Sequence, residues 1–352
     1  MNALQKTGEM LLPSVAYGDA AGFPVETKSF RHIEATYGQI DLLQKTEYSP
    51  FYEGEWPAGT WTDDTELSEV MAKALISAKG FDLNSIASEH VAVFEAADKQ
   101  YDNNGKLSIS FYGRSTTDSL QRLAAGVSPE VSGKKDGTGN GIIMKMAPLA
   151  YWQHVQQTSP EDRYCQYDAL TSMTHDGDVA RVCTRVHGDV LAYLLENDFD
   201  ETGFIATVFD SVARHEAAFG RPGIVSDSLE LLRTEGGFAP ERVKNLYLPR
   251  SVNVTDRKFG FSYSFYVPET LAVAYAAFLH GEADYEKSVY TAVNLGGDAD
   301  STASIVGAMV NFAHKGEQAM PADLEKIDQL ERLRDVSHQL ASVALKSARN
   351  ID

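Results

Sequence analysis

Asn294-Leu295-Gly296-Gly297-Asp298-Ala299-Asp300-Ser301-Thr302-Ala303 sets two carboxylates and two hydroxyls side by side, directly behind a glycine pair. The stretch from Ser301 to Ala313 is apolar at helical spacing, so the run marks a loop turning into a helix. Asp298 and Asp300 would diverge on a helix. In a turn both can point into one cleft, and glycine permits the backbone that brings this about. Thr62-Asp63-Asp64-Thr65-Glu66 repeats the theme far upstream, at the head of a helix expected over Asp64 to Ala78. Neighbouring helical side chains point about 100° apart, so Asp63 and Asp64 could each address one of two cations sharing a site. Together the clusters offer about six hard oxygen donors of the kind magnesium and manganese take. The opposing reading makes Thr62 and either Asp300 or Ser301 helix caps, with the acids answering the helix dipole. Needing both at once weakens it.

Working outward, most of the chain reads as helix. Thr270 to His280 is rich in alanine and leucine and stops at Gly281, and Ala322 to Leu345 reads as an amphipathic helix on the outside. Strand-like pieces, Arg250 to Val254 and Phe259 to Tyr266, are short and isolated, which disfavours a doubly wound α/β fold. The glycine-rich stretch Ser132 to Gly141 is read as a functional loop inside one domain spanning residues 1–352. A formal charge of −19 argues against nucleic acid or an anionic membrane as a partner. Cys165 and Cys183 fit neither a metal spacing nor a disulfide framework, and no signal peptide precedes the first helix; a cytoplasmic protein is expected. The longest apolar run, Leu271 to Leu279, is too short to span a bilayer.

Three weaker features complete the reading. Gly18-Asp19-Ala20-Ala21-Gly22-Phe23-Pro24-Val25-Glu26 carries small residues suited to close helix packing or close ligand approach, and Glu26 alone reads as a surface acid. Gly137-Thr138-Gly139-Asn140-Gly141 could offer backbone N–H groups to a phosphate at a helix start. It is neither a dinucleotide fingerprint nor a Walker loop. His175 is the one histidine worth following. No His-Glu-x-x-His and no Gly-x-Ser-x-Gly occurs, so zinc and serine hydrolases of those types are excluded.

In order along the chain, these motifs resemble the ADP-ribosylglycohydrolase family, which takes in the dinitrogenase-reductase-activating glycohydrolases and the ADP-ribosylhydrolases. Gly18-Asp19-Ala20-x-Gly22 with Glu26 is similar to its N-terminal motif, and Gly59-Thr60-Trp61-Thr62-Asp63-Asp64-Thr65 to its Thr-Asp-Asp-Thr signature. Asn140-Gly141-x-x-Met144-Lys145-x-x-Pro148, Thr174-His175, Tyr266-Val267-x-Glu269-Thr270-Leu271 and Ala292 to Ser301 resemble its later elements. The resemblance implies an all-α, compact orthogonal multi-helix bundle with two divalent cations, Mg²⁺ or Mn²⁺. Thr62, Asp63, Asp64, Asp298, Asp300 and Ser301 would be the ligands. The loop of Gly137, Thr138, Gly139, Asn140 and Gly141 would lie near the diphosphate, with Met144 and His175 lining the cleft and Tyr266 stacking near the adenosine. Glu26, Asp63 and Asp300 become the candidate catalytic carboxylates.

The implied reaction is hydrolysis of an α-glycosidic bond between ADP-ribose and a protein side chain, with arginine as first choice and a monomer expected. Serine-linked ADP-ribose, poly(ADP-ribose), O-acetyl-ADP-ribose or another small conjugate come next, and a role as immunity to an ADP-ribosylating toxin is compatible. A non-enzymatic crystallin-like or ADP-ribose-binding protein is the alternative of another class, disfavoured because all six ligand positions carry oxygen donors. This chain departs from the family pattern in four places. Ser301 stands for a common threonine, Lys145 for the usual arginine, and Phe265 for a common glycine. Phe111-Tyr112 stands where the nitrogenase-regulating members carry an extra acid.

Overall fold

The structure, a computed structural model, describes residues 3–46, 55–97, 99–101, 107–109, 111–234, 236–247 and 263–349. Among these residues there are sixteen α-helices and one short antiparallel ribbon, Lys99–Tyr101 against Leu107–Ile109. The expected strand at Arg250 to Val254 lies outside the described residues, as does the first part of Phe259 to Tyr266. What is described of the latter is a turn, with Tyr266 making one isolated bridge to Gly139.

The centre of the bundle is the helix pair Leu11–Gly22 and Ala299–Ala313, the most extensive contact between elements. Every residue of Leu11–Gly22 is buried. The small residues explain how the two backbones meet. A Cβ on Gly18 would lie 2.2 Å from the Ala303 carbonyl oxygen, one on Gly22 2.3 Å from that of Ala299, and one on Gly307 2.3 Å from that of Ser14. The glycines of the N-terminal motif therefore serve helix packing. They bring Asp19 and the start of the 299–313 helix into one place.

Around this pair stand the helices Asp63–Ala78, Asp178–Glu196, Val267–His280 and Tyr285–Leu295. Three helices begin one to three residues earlier than the periodicity suggested, at Asp63, Val267 and Ala299. The outer helix differs more. A 3-10 turn, Leu324–Lys326, precedes it and the helix itself runs Leu330–Arg349, with Leu330, Leu333, Val336, Leu340, Ala341 and Ala344 buried at helical spacing. It packs on Ala3–Glu9, Leu11–Gly22 and Asp63–Ala78, and Ser337 Oγ accepts the first-turn amide of Leu12 at 3.1 Å. Arg332 clamps it to the Asp63–Ala78 helix through Glu69, at 3.1 Å, and lies over the Trp61 ring. One continuous apolar cluster runs from Leu11 to Ala344. Among the described residues no helix is long and apolar enough to cross a membrane, and both cysteines are free.

Candidate metal centre and cleft

Asp19 is wholly buried inside an otherwise apolar helix, a place where an aspartate needs partners. It finds them at the head of the next acid motif. Its carboxylate accepts the amides of Thr62 and Thr65 at 3.0 Å and their hydroxyls at 2.9 and 2.6 Å. Thr62 is the N-cap residue of the Asp63–Ala78 helix, yet its side chain makes no capping bond. Asp19 does the capping from outside. The result fixes where Asp63 and Asp64 leave the helix.

A matching clamp holds the other motif. Gly297, at φ 77°, and Gly296, at φ 73°, turn the chain into the Ala299–Ala313 helix where a Cβ would strike the 263–264 turn or Lys28. Ser264, itself left-handed at φ 65°, accepts the Asp298 amide on its Oγ at 2.9 Å. Asn140 Nδ2 donates to Asp298 Oδ2 at 2.6 Å. The N-terminal segment closes against the same turn: Thr27 N donates to the Gly297 oxygen at 2.7 Å, and Gly297 N to that of Lys28 at 2.8 Å. Glu26 is thereby carried inside and is 7% exposed, so its surface reading fails.

These clamps assemble two carboxylate triplets that share one member. Asp19, Asp64 and Asp300 each place an oxygen within 4.8 Å of the others, and so do Glu26, Asp298 and Asp300. The hydroxyls of Ser301 and Thr62 reach Asp64 Oδ2 at 3.2 and 3.3 Å. Asp64 Oδ1 and Glu26 Oε2 are buried and find no hydrogen-bond partner among the described residues. Such oxygens in a set of hard donors fit a divalent cation such as Mg²⁺ or Mn²⁺. Asp19, already saturated with donors, belongs to the frame of the site. Asp63 joins neither triplet, as expected if its side chain points about 100° away from that of Asp64.

Burial and mutual repulsion raise the affinity of these acids for protons. Burial first, then the Asp300 charge, pushes Asp19 up to about 7, against the hydrogen bonds from Thr65 and Thr62. Glu26, Asp63, Asp64 and Asp298 are raised too, again by burial first and neighbouring carboxylates second. Lys145 is wholly buried with an unpartnered Nζ; burial lowers it to about 7 while Asp63 pulls it back.

The glycine loop lies over His175. A Cβ on Gly141 would sit 3.3 Å from the imidazole, one on Gly139 3.5 Å. His175 is buried, with Nδ1 2.9 Å from Thr174 Oγ1, and burial lowers it to about 3, so the ring is neutral. The loop is tied to Tyr266 by the Gly139 bridge and by Val267 N donating to the Thr138 oxygen at 2.9 Å. One expectation is corrected here. The loop does not open an α-helix: it enters a 3-10 turn, Asn140–Ile142, the next α-helix starts at Ala147, and the Gly137 amide is spent on the Lys134 oxygen. Met144 sits in the apolar core, its carbonyl accepting Ser68 Oγ at 3.3 Å. Tyr266 is partly exposed at the edge of the loop.

Sequence reasoning passed over three residues. Asp19 was visible as an acid in an apolar helix. Ser264 and Tyr112 left no local signal: the first holds Asp298, and the hydroxyl of the second donates to Glu66. A separate groove of about 720 Å³, lined by Phe30, Asp41, Lys244 and Asn294 among others, contains none of the candidate site residues.

Comparisons with known proteins agree with this arrangement. A family model described as ADP-ribosylglycohydrolase matches residues 10–350. A protein of Archaeoglobus fulgidus, described as uncharacterized, is 27% identical over 94% of this chain and 95% of its own length. Two proteins named ADP-ribosylarginine hydrolase Tri1 are each 23% identical. The one from Serratia proteamaculans covers 81% of this chain and 68% of itself, the one from Pseudomonas putida 96% and 78%. A solved structure described as an ADP-ribosylglycohydrolase-related protein complex matches with a TM-score of 0.69 over 98% of this chain and all of its own, at 22% identity, a likeness of fold. Since the family model takes in both acid motifs and the whole bundle that joins them, the chain belongs to the ADP-ribosylglycohydrolase family, hydrolases of glycosidic bonds to ADP-ribose.

Proposed function

We propose that this enzyme releases ADP-ribose from arginine side chains of modified proteins, by hydrolysis of the α-linked N-glycosidic bond with two divalent cations in the acid cluster. The observation that carries the reading is the pair of carboxylate triplets joined at Asp300. Asp64, Asp298, Asp300 and Glu26, with the hydroxyls of Thr62 and Ser301, would hold the cations. Mg²⁺ or Mn²⁺ bound there would supply Lewis-acid polarisation of the substrate ribose hydroxyls and of water. Arginine as the linkage is supported by the two relatives named ADP-ribosylarginine hydrolase.

The chain's own groups divide the remaining work. Glu26 is buried beside the cluster with an unpartnered Oε2, a carboxylate placed to take a proton from an attacking water. Asp63 and Asp300 are the other candidates for that transfer. Water would add at C1″ of an oxocarbenium-like transition state as the arginine nitrogen leaves. Asn140 orients Asp298 through its amide. The 137–141 loop, neutral His175 and Tyr266 form the adjoining wall suited to the diphosphate and adenosine.

The test is to incubate the protein with arginine- and serine-ADP-ribosylated proteins in Mg²⁺, Mn²⁺ or EDTA and quantify free ADP-ribose. Cation-dependent release from the arginine-linked substrate is expected. Release from the serine-linked substrate alone would overturn the linkage. Cation binding with no release from either would overturn the hydrolase reading in favour of ADP-ribose binding.

A further inference from the structure

Besides Asp63, a second acid lies near the cluster without belonging to either carboxylate triplet, and its charge acts on Asp63. Glu66 follows Asp63 by three positions, so the two share a face of their helix, and Glu66 remains partly exposed. The nearly buried Tyr112 donates its hydroxyl to Glu66 Oε2, which fixes the carboxylate's orientation. The nearby cations Lys73 and Arg332 are taken by Glu69, at 3.0 and 3.1 Å.

Beside this pair stands an aromatic wall. Phe111 precedes Tyr112 and holds φ at 72°, a left-handed conformation that a bulky side chain adopts only at a cost. That backbone turns its ring into edge-to-face contact with Phe23 at 5.4 Å and Trp56 at 6.1 Å, and Phe23 and Trp56 meet at 5.5 Å. Phe23 opens the 3-10 turn that ends just before Glu26. Along the chain the aromatic cluster adjoins both acids: Phe111 is next to Tyr112, which holds Glu66, and Phe23 lies three residues before Glu26. Trp56 and Phe111 both remain partly exposed.

We propose that Glu66, oriented by Tyr112 next to the cluster of Phe111, Trp56 and Phe23, is the subsite that receives the guanidinium of the departing side chain and sets the preference for arginine-linked substrate. An oriented carboxylate beside aromatic rings suits a planar, weakly hydrated cation, which can pair with the one and stack on the other. A neutral seryl or acetyl group gains nothing from Glu66. The inference rests on the hydrolase reading above, and its test separates the two.

Agmatine, a small guanidinium compound, is titrated by saturation-transfer NMR into the full-length protein with Mg²⁺ and ADP-ribose present, for wild type, Glu66→Gln and Tyr112→Phe. Steady-state kinetics on arginine- and serine-linked substrates follow. Glu66→Gln is expected to weaken agmatine about tenfold and to raise KM for the arginine-linked substrate by a similar factor, lowering the arginine-to-serine ratio of kcat/KM. Tyr112→Phe moves the same quantities in the same direction by less. Mn²⁺ binding, followed by electron paramagnetic resonance, checks that each variant keeps its fold and acid cluster. Agmatine binding equal to wild type in Glu66→Gln overturns the subsite, as does a loss of kcat equal for both substrates. Glu66-dependent agmatine binding in an enzyme that releases nothing from arginine-linked protein supports the subsite and removes the hydrolase reading alone.

Discussion

Two acidic sites of this protein, one mostly buried and one wholly buried, have opposite electrostatics. Asp189, between the Asp178–Glu196 and Glu201–Phe219 helices, accepts Ser211 Oγ at 2.6 Å and Tyr164 Oη at 3.1 Å, with His215 Nε2 at 3.0 Å and Arg214 at 3.5 Å. Burial would raise it, but His215 and Ser211 outweigh burial and hold it below the usual carboxylate range. In the cleft, Glu26, Asp64 and Asp298 are raised, and two of their oxygens meet no donor. Where a fold uses a buried acid for its own stability, it fills the lone pairs from its own chain. Where it leaves them unfilled, it spends stability on a site. Asp19 stands between the two: it lies within the cluster, yet it is filled like Asp189.

The sharpest way to break this contrast is Asp300→Asn, at the residue both triplets share. Hydrolysis should fall about a thousandfold with Mn²⁺ affinity much reduced, while the melting temperature of the metal-free protein holds or rises. Retained turnover would return the acids to helix capping. Gly22→Ala tests whether packing of the central pair positions the cluster. Its Cβ would meet the Asp300 amide nitrogen at 2.4 Å, so a loss of about 3 kcal/mol in urea unfolding is expected, together with weaker Mn²⁺ binding. Gly80→Ala, with open space around it, should stay within about 0.5 kcal/mol. Asp189→Ala should cost about 2 kcal/mol and leave hydrolysis per folded molecule unchanged.

The smallest effect is a dependence on pH. Asp19, raised to about 7, and the other raised acids hold protons in the folded state that the unfolded chain has already released above about 4, so metal-free stability falls as pH rises from about 4 towards the raised values, Asp19's share being lost by about 7. Lys145 and Lys28, lowered by burial to about 7 and 8, offset part of that fall. His90, His175 and His187, held by burial at about 3, act in the other direction: the unfolded chain takes up protons below about 6.5 and stability drops. Because the raised acids outnumber these histidines, a scan of melting temperature without metal should fall between about pH 5 and 7, by roughly 1 kcal/mol per unit. Saturating Mg²⁺ should flatten that fall, because a bound cation keeps its carboxylate ligands deprotonated over the same range. An unchanged profile would mean that the cluster is not where the cation binds.

The helices that carry the acids were legible because their signals are local. Apolar residues recur at helical spacing behind Asp64 and behind Ser301, and the glycine pair marks the turn between loop and helix. The frame was not legible. The partners of Asp19, the bond from Asn140 to Asp298 and the burial of Glu26 all depend on pairings between distant segments, and nothing in one neighbourhood reports them. The glycine loop misled for a related reason: its composition matches a phosphate-binding helix start, while its amides and carbonyls are partly used by Lys134 and Val267. Only the order of motifs along the chain, matched to a family, compensated for that loss.

The Leu11–Gly22 helix also carries a consequence for biosynthesis. It is buried on every side, and the helix against which its glycines fit ends at Ala313, about 290 residues later. At a synthesis rate of about 5–20 residues per second, the nascent chain would hold a largely apolar helix without its mate for roughly 15–60 seconds. Early engagement of that segment by a chaperone, and insolubility of any product terminated before residue 299, follow from the same three glycines that let the two backbones touch.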